Sequence, residues 1–596
     1  MEKAQVRSVQ TARREAIQAL CAVPTAALLA SCAALFRRDV VPVCPTSPEV
    51  SSPTGALTID VHCHVFNGTD LQVEKFMSMI AVRQGGALGA GAKLLGSILQ
   101  GLAWSFAPSG DAEIEVLREL AAALPNCSDG EHTVRIAKLR QAGYTRGREQ
   151  LQVALARSAV FGTLREQRRL NTVDLTIDDE SRRQLAAMQF IDELPQDVEQ
   201  YRSMRSDGGS NLFAFKDRSF EGLIAFVLQN FQYRYVSVHD YLRTYNQSGG
   251  RVVDLMLPSM VDYDYWLAKG EATDTSLRTQ VEVMRQISIL TGGRVHGFVP
   301  FDPLRQVAYE LQMTGQDAFA LATDAVERHG CIGVKLYPPM GFAPLGNRDL
   351  RRADGLPFWD RPWLPKWTSR PDLGARLDDA MINILGWCER KNVPVMAHTS
   401  LSNGVTQEFE DLAGSSYWKA ALTAFPKLRV NFGHFGDSSP VEDRAAHARG
   451  FTALMSADAA APGAFAYADS GYFVEVLAKE PALRDQLRAL YDETAPKQRA
   501  ALANRFMYGT DWEMTLTEGN VATYLKDFMG LLEELEQRPA IQQQKLSGLS
   551  LKFFGVNAVD WIGLRSGGAA RARLEAFYAA SNVKPPDWVQ KVDALS

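Results

Sequence analysis

The segment Thr58-Ile-Asp-Val-His-Cys-His-Val-Phe-Asn67 constrains this chain more than any other. A short apolar run, sufficient for one buried strand, ends in two histidines separated by a single residue. Side chains alternate faces along a strand, so His62 and His64 point one way and Cys63 the other. Two imidazoles side by side at a strand exit can share one metal ion. Taken alone, the pair also has an ordinary reading, with one histidine capping a helix and the other solvated at the surface. The rest of the chain decides between them.

Downstream, short apolar runs alternate with stretches of helical periodicity. Counting the first, the runs lie near 57–61, 253–258, 295–300, 331–336, 393–397, 428–433, 465–468 and 506–510, and helices are predicted over 275–290, 315–329, 375–391 and 417–425. Strands alternating with helices imply a parallel sheet with crossover helices. Eight such units predict an α/β fold, a (β/α)8 TIM-type barrel. Between the first two strands, residues 70–250 carry helical spacing and no internal repeat. The aromatics Phe226, Phe231, Tyr233, Tyr235, Tyr241 and Tyr245 in this stretch read as core. If strand one ends at His64, this large, mostly helical insertion leaves from the catalytic face and should roof or wall it.

The polar residues at the other strand exits change the standing of the histidine pair. Lys335 lies near the end of strand four, His398 ends strand five, His434 follows strand six and Asp511 follows strand eight. Barrel enzymes build their sites from residues at the carboxyl ends of different strands, so distant positions become neighbours around one mouth. Each has a bland reading: a core histidine, a helix cap, a helix N-cap before Trp512. Their joint placement favours a metal site.

At this point the chain resembles the amidohydrolase superfamily, in the branch called amidohydrolase-related or amidohydrolase family 2. The resemblance is carried by Asp60-Val-His-Cys-His64, Gly333-Val-Lys-Leu-Tyr337, Val393-Pro-Val-Met-Ala-His-Thr399, Asn431-Phe-Gly-His-Phe-Gly436, Tyr508-Gly-Thr-Asp511 and the closing segment from Lys552 to Leu564. It spans about residues 57–67 and 250–565. It implies that His62, His64, His398 and Asp511 bind a divalent metal, zinc first among those that such ligands suit. It implies that Asp511 and His434 are catalytic, His434 orienting water or polarising substrate at the metal mouth. Lys335 would be a substrate contact, a structural residue or, if carbamylated, the bridge to a second metal. The expected chemistry is hydrolysis of an amide, ester or lactone in a small, carboxylated substrate. The alternatives are decarboxylation or hydration on the same barrel and, in a different class, an inactive binding or scaffold barrel.

Composition limits the partners. A net charge of -5 and a charged fraction of 22%, with no long basic run, argue against nucleic acid and leave a small-molecule substrate. Lys3, Arg7, Arg13 and Arg14 precede a mostly apolar segment ending in Leu29-Ala-Ser-Cys32. This has the form of an export signal with a lipobox, so the chain is expected in the bacterial envelope, anchored through Cys32, or otherwise in the cytoplasm. A membrane is approached only through that anchor. The seven cysteines show no C-x-x-C pair and no disulfide framework. The chain thus divides into a signal-like segment and linker (1–55), the first strand (56–67), the helical insertion (68–250), the remaining barrel (251–565) and a helical tail (566–596). A loop insertion at 338–373, rich in Trp, Phe and Arg, reads as a lid meeting an apolar, anionic substrate, or as an ordered loop packed on its own aromatics.

Overall fold

The computed structural model describes residues 55–83, 86–123, 129–169, 179–206, 218–246, 251–436, 442–456, 458, 460–473, 487–492, 494–517 and 521–595. The signal-like segment with Cys32 lies outside the described residues. No described helix is long and apolar enough to cross a membrane.

The eight strands are β1 (Ile59–Cys63), β2 (Leu255–Pro258), β3 (Phe298–Pro300), β4 (Gly333–Leu336), β5 (Val395–His398), β6 (Val430–Gly433), β7 (Ala466–Asp469) and β8 (Phe506–Met507). All pairs are parallel, in the order β1-β2 and β3-β4-β5-β6-β7-β8. No continuous ladder closes the cylinder, but single bonds span both seams. Bridges Met256–Val295 and Ser259–Phe298 join β2 to β3. Val61 N donates to Tyr508 O at 3.0 Å and Thr510 N to His62 O at 3.0 Å, joining the end of β8 to β1. The fold is the expected TIM-type α/β barrel.

Helices run between the strands as crossovers, and their ends follow from local chemistry. The helix before β3, Leu277–Leu290, starts where Ser276 accepts from Thr279 N, and Asp317 does the same for Ala318–Arg328 through Ala320 N. Leu373–Lys391, before β5, stops at Asn392 in the left-handed conformation, so the chain turns into the strand.

Between β1 and β2 the described chain is helical, and its last helix, α1 (Arg234–Asn246), packs directly behind the strand exits. Tyr241 Oη donates to Asp60 Oδ2 at 2.6 Å, and Tyr241 and Tyr245 meet Trp512 edge-on. Arg234 is buried between Asp70 and Glu113, at 2.9 Å from each. At the opposite end of the barrel the tail forms α2 (Ala569–Ser581) and α3 (Asp587–Asp593). Trp588 Nε1 donates to Gly293 O at 2.9 Å, and Lys591 Nζ to Asp254 Oδ1 at 2.7 Å. Leu574, Phe577, Trp588 and Val592 join Ile59, Leu257, Phe298 and Trp561 in one core. Each such buried side chain is worth about 1.5–3 kcal/mol of transfer free energy, so the tail is part of the fold.

The 338–373 segment differs from the lid reading. Phe342 stacks on Trp266, Phe358 on Phe409, and Trp363 meets Phe409 edge-on. Trp359 Nε1 donates to Gly341 O at 2.7 Å, while Arg361 pairs with Glu408 and Arg370 with Asp372. The aromatics pack on Trp266 and Phe409 of neighbouring segments, and these two arginines already have carboxylates. The segment is an ordered loop packed against its neighbours.

Candidate metal centre

The β1–β2 register shifts between Asp60 and Cys63, so His62 sits in an irregular stretch of strand, the kind of feature that re-aims side chains beside sites. His62 Nδ1 lies 3.0 and 3.1 Å from the two carboxylate oxygens of Asp469, the last residue of β7. His64 Nδ1 lies 2.8 Å from the Ser259 carbonyl, just beyond β2. Both partners are acceptors, so each ring carries its proton on Nδ1 and leaves Nε2 with a bare lone pair. Both Nε2 atoms face Asp511 Oδ1, at 3.6 Å from His62 and 3.2 Å from His64. That oxygen is buried and makes no hydrogen bond of acceptable geometry.

His62, His64 and Asp511 thus offer three ligand atoms within 4.8 Å of one another, all buried. Two neutral nitrogens and a carboxylate oxygen, with the imidazoles oriented from behind, fit a divalent ion. The electrostatics agree. Burial pulls His62 down to about 4 and lowers His64, so both are neutral and able to ligate. Asp511 is also lowered: burial alone would raise it, but the His64 contact and the adjacent His434 and His62 imidazoles outweigh that.

Around His62 the backbone has no room to spare. A Cβ on Gly433 would stand 2.9 Å from His62 Cε1, and one on Gly471 would stand 2.6 Å from Nδ1. Gly433 ends β6 just before His434, and Gly471 lies just beyond Asp469, which holds the ring. Asp511 and His434 themselves adopt left-handed φ of 55° and 64°, a strain that non-glycine residues carry mainly at functional sites.

The other predicted residues lie alongside. His434 Nδ1 is 3.0 Å from Gly471 O and its Nε2 is 3.0 Å from His398 Nδ1. Its ring centroid is 4.5 Å from those of both His62 and His398, so it stands between them. His398 is outside the three-atom group: its Nδ1 is held by His434, and its Nε2 faces Ser402 Oγ at 3.5 Å. Lys335 Nζ is 3.4 Å from His62 Nε2, and burial draws its ammonium down to about 8 against the charges of Asp511 and Asp469.

Two residues beyond the sequence prediction complete the centre. Asp469 also accepts from Asn431 Nδ2 at 2.6 Å and from the His434 and Gly471 amides. Burial would raise its carboxyl, but His62 and these donors hold it well below the usual range. Asp60, behind the site, accepts from Tyr241, Thr510 Oγ1 and the His62 and Thr510 amides. Asp60 lies two residues before His62 on the same strand, and the strand-exit rule that marks Asp511 applies equally to Asp469.

The strand exits of a TIM-type barrel thus converge on a buried His–His–Asp group that could hold a metal ion. Residues 310–546 match the family model described as amidohydrolase. The match covers less than half of the chain, and over that stretch the chain is similar to the amidohydrolases. No curated protein matches it. Among solved structures it is similar to an uncharacterised TIM-barrel protein from Bordetella bronchiseptica, at 13% identity over 55% of this chain and 82% of that one, with a TM-score of 0.31. It is also similar to an amidohydrolase from Burkholderia multivorans with bound HEPES (11% identity, 54% and 94%, TM-score 0.28). A third is 5-carboxyvanillate decarboxylase from Sphingomonas paucimobilis (12% identity, 52% and 79%, TM-score 0.28).

Proposed function

We propose that this enzyme uses one divalent metal, zinc by preference, to hydrolyse an amide, ester or lactone bond in a small, carboxylated substrate. The observation that carries the reading is the convergence of the His62 and His64 Nε2 lone pairs on the unbonded Oδ1 of Asp511. His62, His64 and Asp511 would hold the ion, with His398 completing the set. A divalent ion there supplies Lewis acidity, activating water and polarising the scissile carbonyl. Asp511 takes the proton of the attacking water and returns it to the leaving group. His434, between His62 and His398, supports the oxyanion as charge develops. Asp469 and the Ser259 carbonyl hold the two imidazoles in the ligating tautomer. Lys335, beside His62 Nε2, meets a substrate carboxylate in the free-amine enzyme, and would bridge a second ion if carbamylated.

The 68–250 region walls the pocket in this reading. Two contacts support it: Tyr241 on Asp60, and Arg83 Nη1 donating to Gly404 O at 2.5 Å on the loop after β5.

Metal analysis of the purified protein, followed by a screen of lactones, amides, esters and aromatic carboxylic acids, tests the assignment. About one equivalent of tightly held divalent metal is expected, the single ion of a catalytic site. Chelation should abolish hydrolysis. Carbon dioxide release from an aromatic acid would move the enzyme to the decarboxylases. Absence of bound metal would leave a scaffold barrel.

A further inference from the structure

We propose that Tyr337 is a positioning residue for His398, fixing its imidazole plane at the metal centre. The inference rests on the reading of His398 as the fourth ligand, and extends it to a residue that touches no ligand atom of the three-atom group. Tyr337 follows β4 and lies flat against the His398 ring, centroids 4.2 Å apart and planes 19° apart. A stacked aromatic neighbour restricts rotation of the imidazole about its Cβ–Cγ bond, while the 3.0 Å contact of Nδ1 with His434 fixes one edge.

Tyr337 is itself held at its far end. Its hydroxyl accepts from Asn403 Nδ2 at 2.9 Å, on the loop that follows β5. Its ring meets Tyr263 edge-on at 5.2 Å, and Lys335 Nζ lies 5.8 Å from its centroid. The tyrosine therefore links three strand exits: β2 through Tyr263, β4 through its own backbone, and β5 through Asn403 and His398. Asn403 adopts a left-handed φ of 64°, a conformation its short amide side chain tolerates, which aims Nδ2 at the hydroxyl. This geometry constrains orientation. Its contribution should therefore appear in how metal is held.

Cobalt(II) as the added metal provides the test, because its visible bands report ligand number and geometry independently of turnover. The full chain is prepared as wild type, Tyr337→Phe, Tyr337→Leu and His398→Ala, each with its melting temperature recorded. His398→Ala should change the cobalt bands. Tyr337→Leu should change them in the same direction and weaken cobalt binding by about tenfold or more, the usual cost of losing support for a ligand. Tyr337→Phe keeps the stack and should stay within about fivefold of wild type, the worth of one net hydrogen bond. If the leucine variant does not fold, Tyr337→Met, unbranched and of similar volume, replaces it. Wild-type bands and affinity in the leucine or methionine variant, with His398→Ala altered, would overturn the role of Tyr337 and leave the metal reading standing. No cobalt binding by wild type, or no effect of His398→Ala, would overturn the ligand reading and the role of Tyr337 with it.

Discussion

Asp469 and His62 are paired in full burial, Oδ1 to Nδ1 at 3.0 Å, on β7 and β1. One carboxylate thereby sets the tautomer of a ligand from a strand that is remote in sequence. Removing its charge while keeping its shape should loosen the metal more than the fold. Asp469→Asn is expected to weaken metal binding by about 10- to 100-fold. Competition against a chelator measures this, and circular dichroism should remain at wild type. Unchanged affinity would reduce Asp469 to a packing residue.

The helical region reaches the site through a surface contact that can be cut cleanly. Arg83 is part-exposed; its Nη1 bonds Gly404 O and lies 3.9 Å from Glu410. Gly404 adjoins Asn403 and Ser402, which face Tyr337 and His398. Arg83→Ala should therefore speed hydrogen exchange in residues 400–406 while leaving the melting temperature nearly unchanged, since an exposed contact of this kind is worth about 0–1 kcal/mol. Equal exchange rates would mean that the loop holds its position without the helical region.

The tail provides a pH-dependent prediction away from the metal. His296 is fully buried, with Nδ1 2.8 Å from Gly330 O and Nε2 2.7 Å from Tyr578 Oη on α2. Burial lowers it to about 4, against an ordinary value of 6.5. The folded value is the lower one, so below pH 6.5 the unfolded chain binds the proton first and stability falls with falling pH. The loss accumulates between about pH 6.5 and 4 and totals on the order of 3 kcal/mol. Urea titrations across this window should show it. His296→Gln, which does not titrate, should flatten the slope even if it lowers the plateau.

The barrel was legible because its strands are short apolar runs that alternate with helical stretches, and because chemistry gathers at their exits. His62, His64 and Asp511 follow from that rule and meet in space. Asp469 obeys the same rule, but it ends the least distinct strand, Ala-Tyr-Ala-Asp, where half the residues are small and the run is four long. His398 and His434 lie beside the group, yet sequence cannot say which nitrogen of one faces which nitrogen of the other. The 338–373 loop reads two ways in sequence for a related reason. Tryptophans and arginines have the same composition whether they face a ligand or each other, and here Phe409 and Glu408, outside the loop, took them up.

Asp511 carries the last prediction, since it is asked both to ligate and to move a proton. Its Oδ1 faces both bare imidazole nitrogens and makes no hydrogen bond, and its lowered pKa keeps it ionised at neutral pH. Asp511→Asn preserves volume and one acceptor oxygen but cannot accept a proton as a carboxylate does. Loss of general base function alone costs about 10²–10⁴ in rate, so turnover should fall at least that far. The fold should persist, because Thr510 and Asp60 hold this stretch of backbone through bonds that do not involve the Asp511 side chain. Rate and metal content must be measured on the same sample. A variant that keeps its metal but not its rate assigns the proton to Asp511. Loss of both assigns it chiefly to ligation, and full activity would remove it from the site.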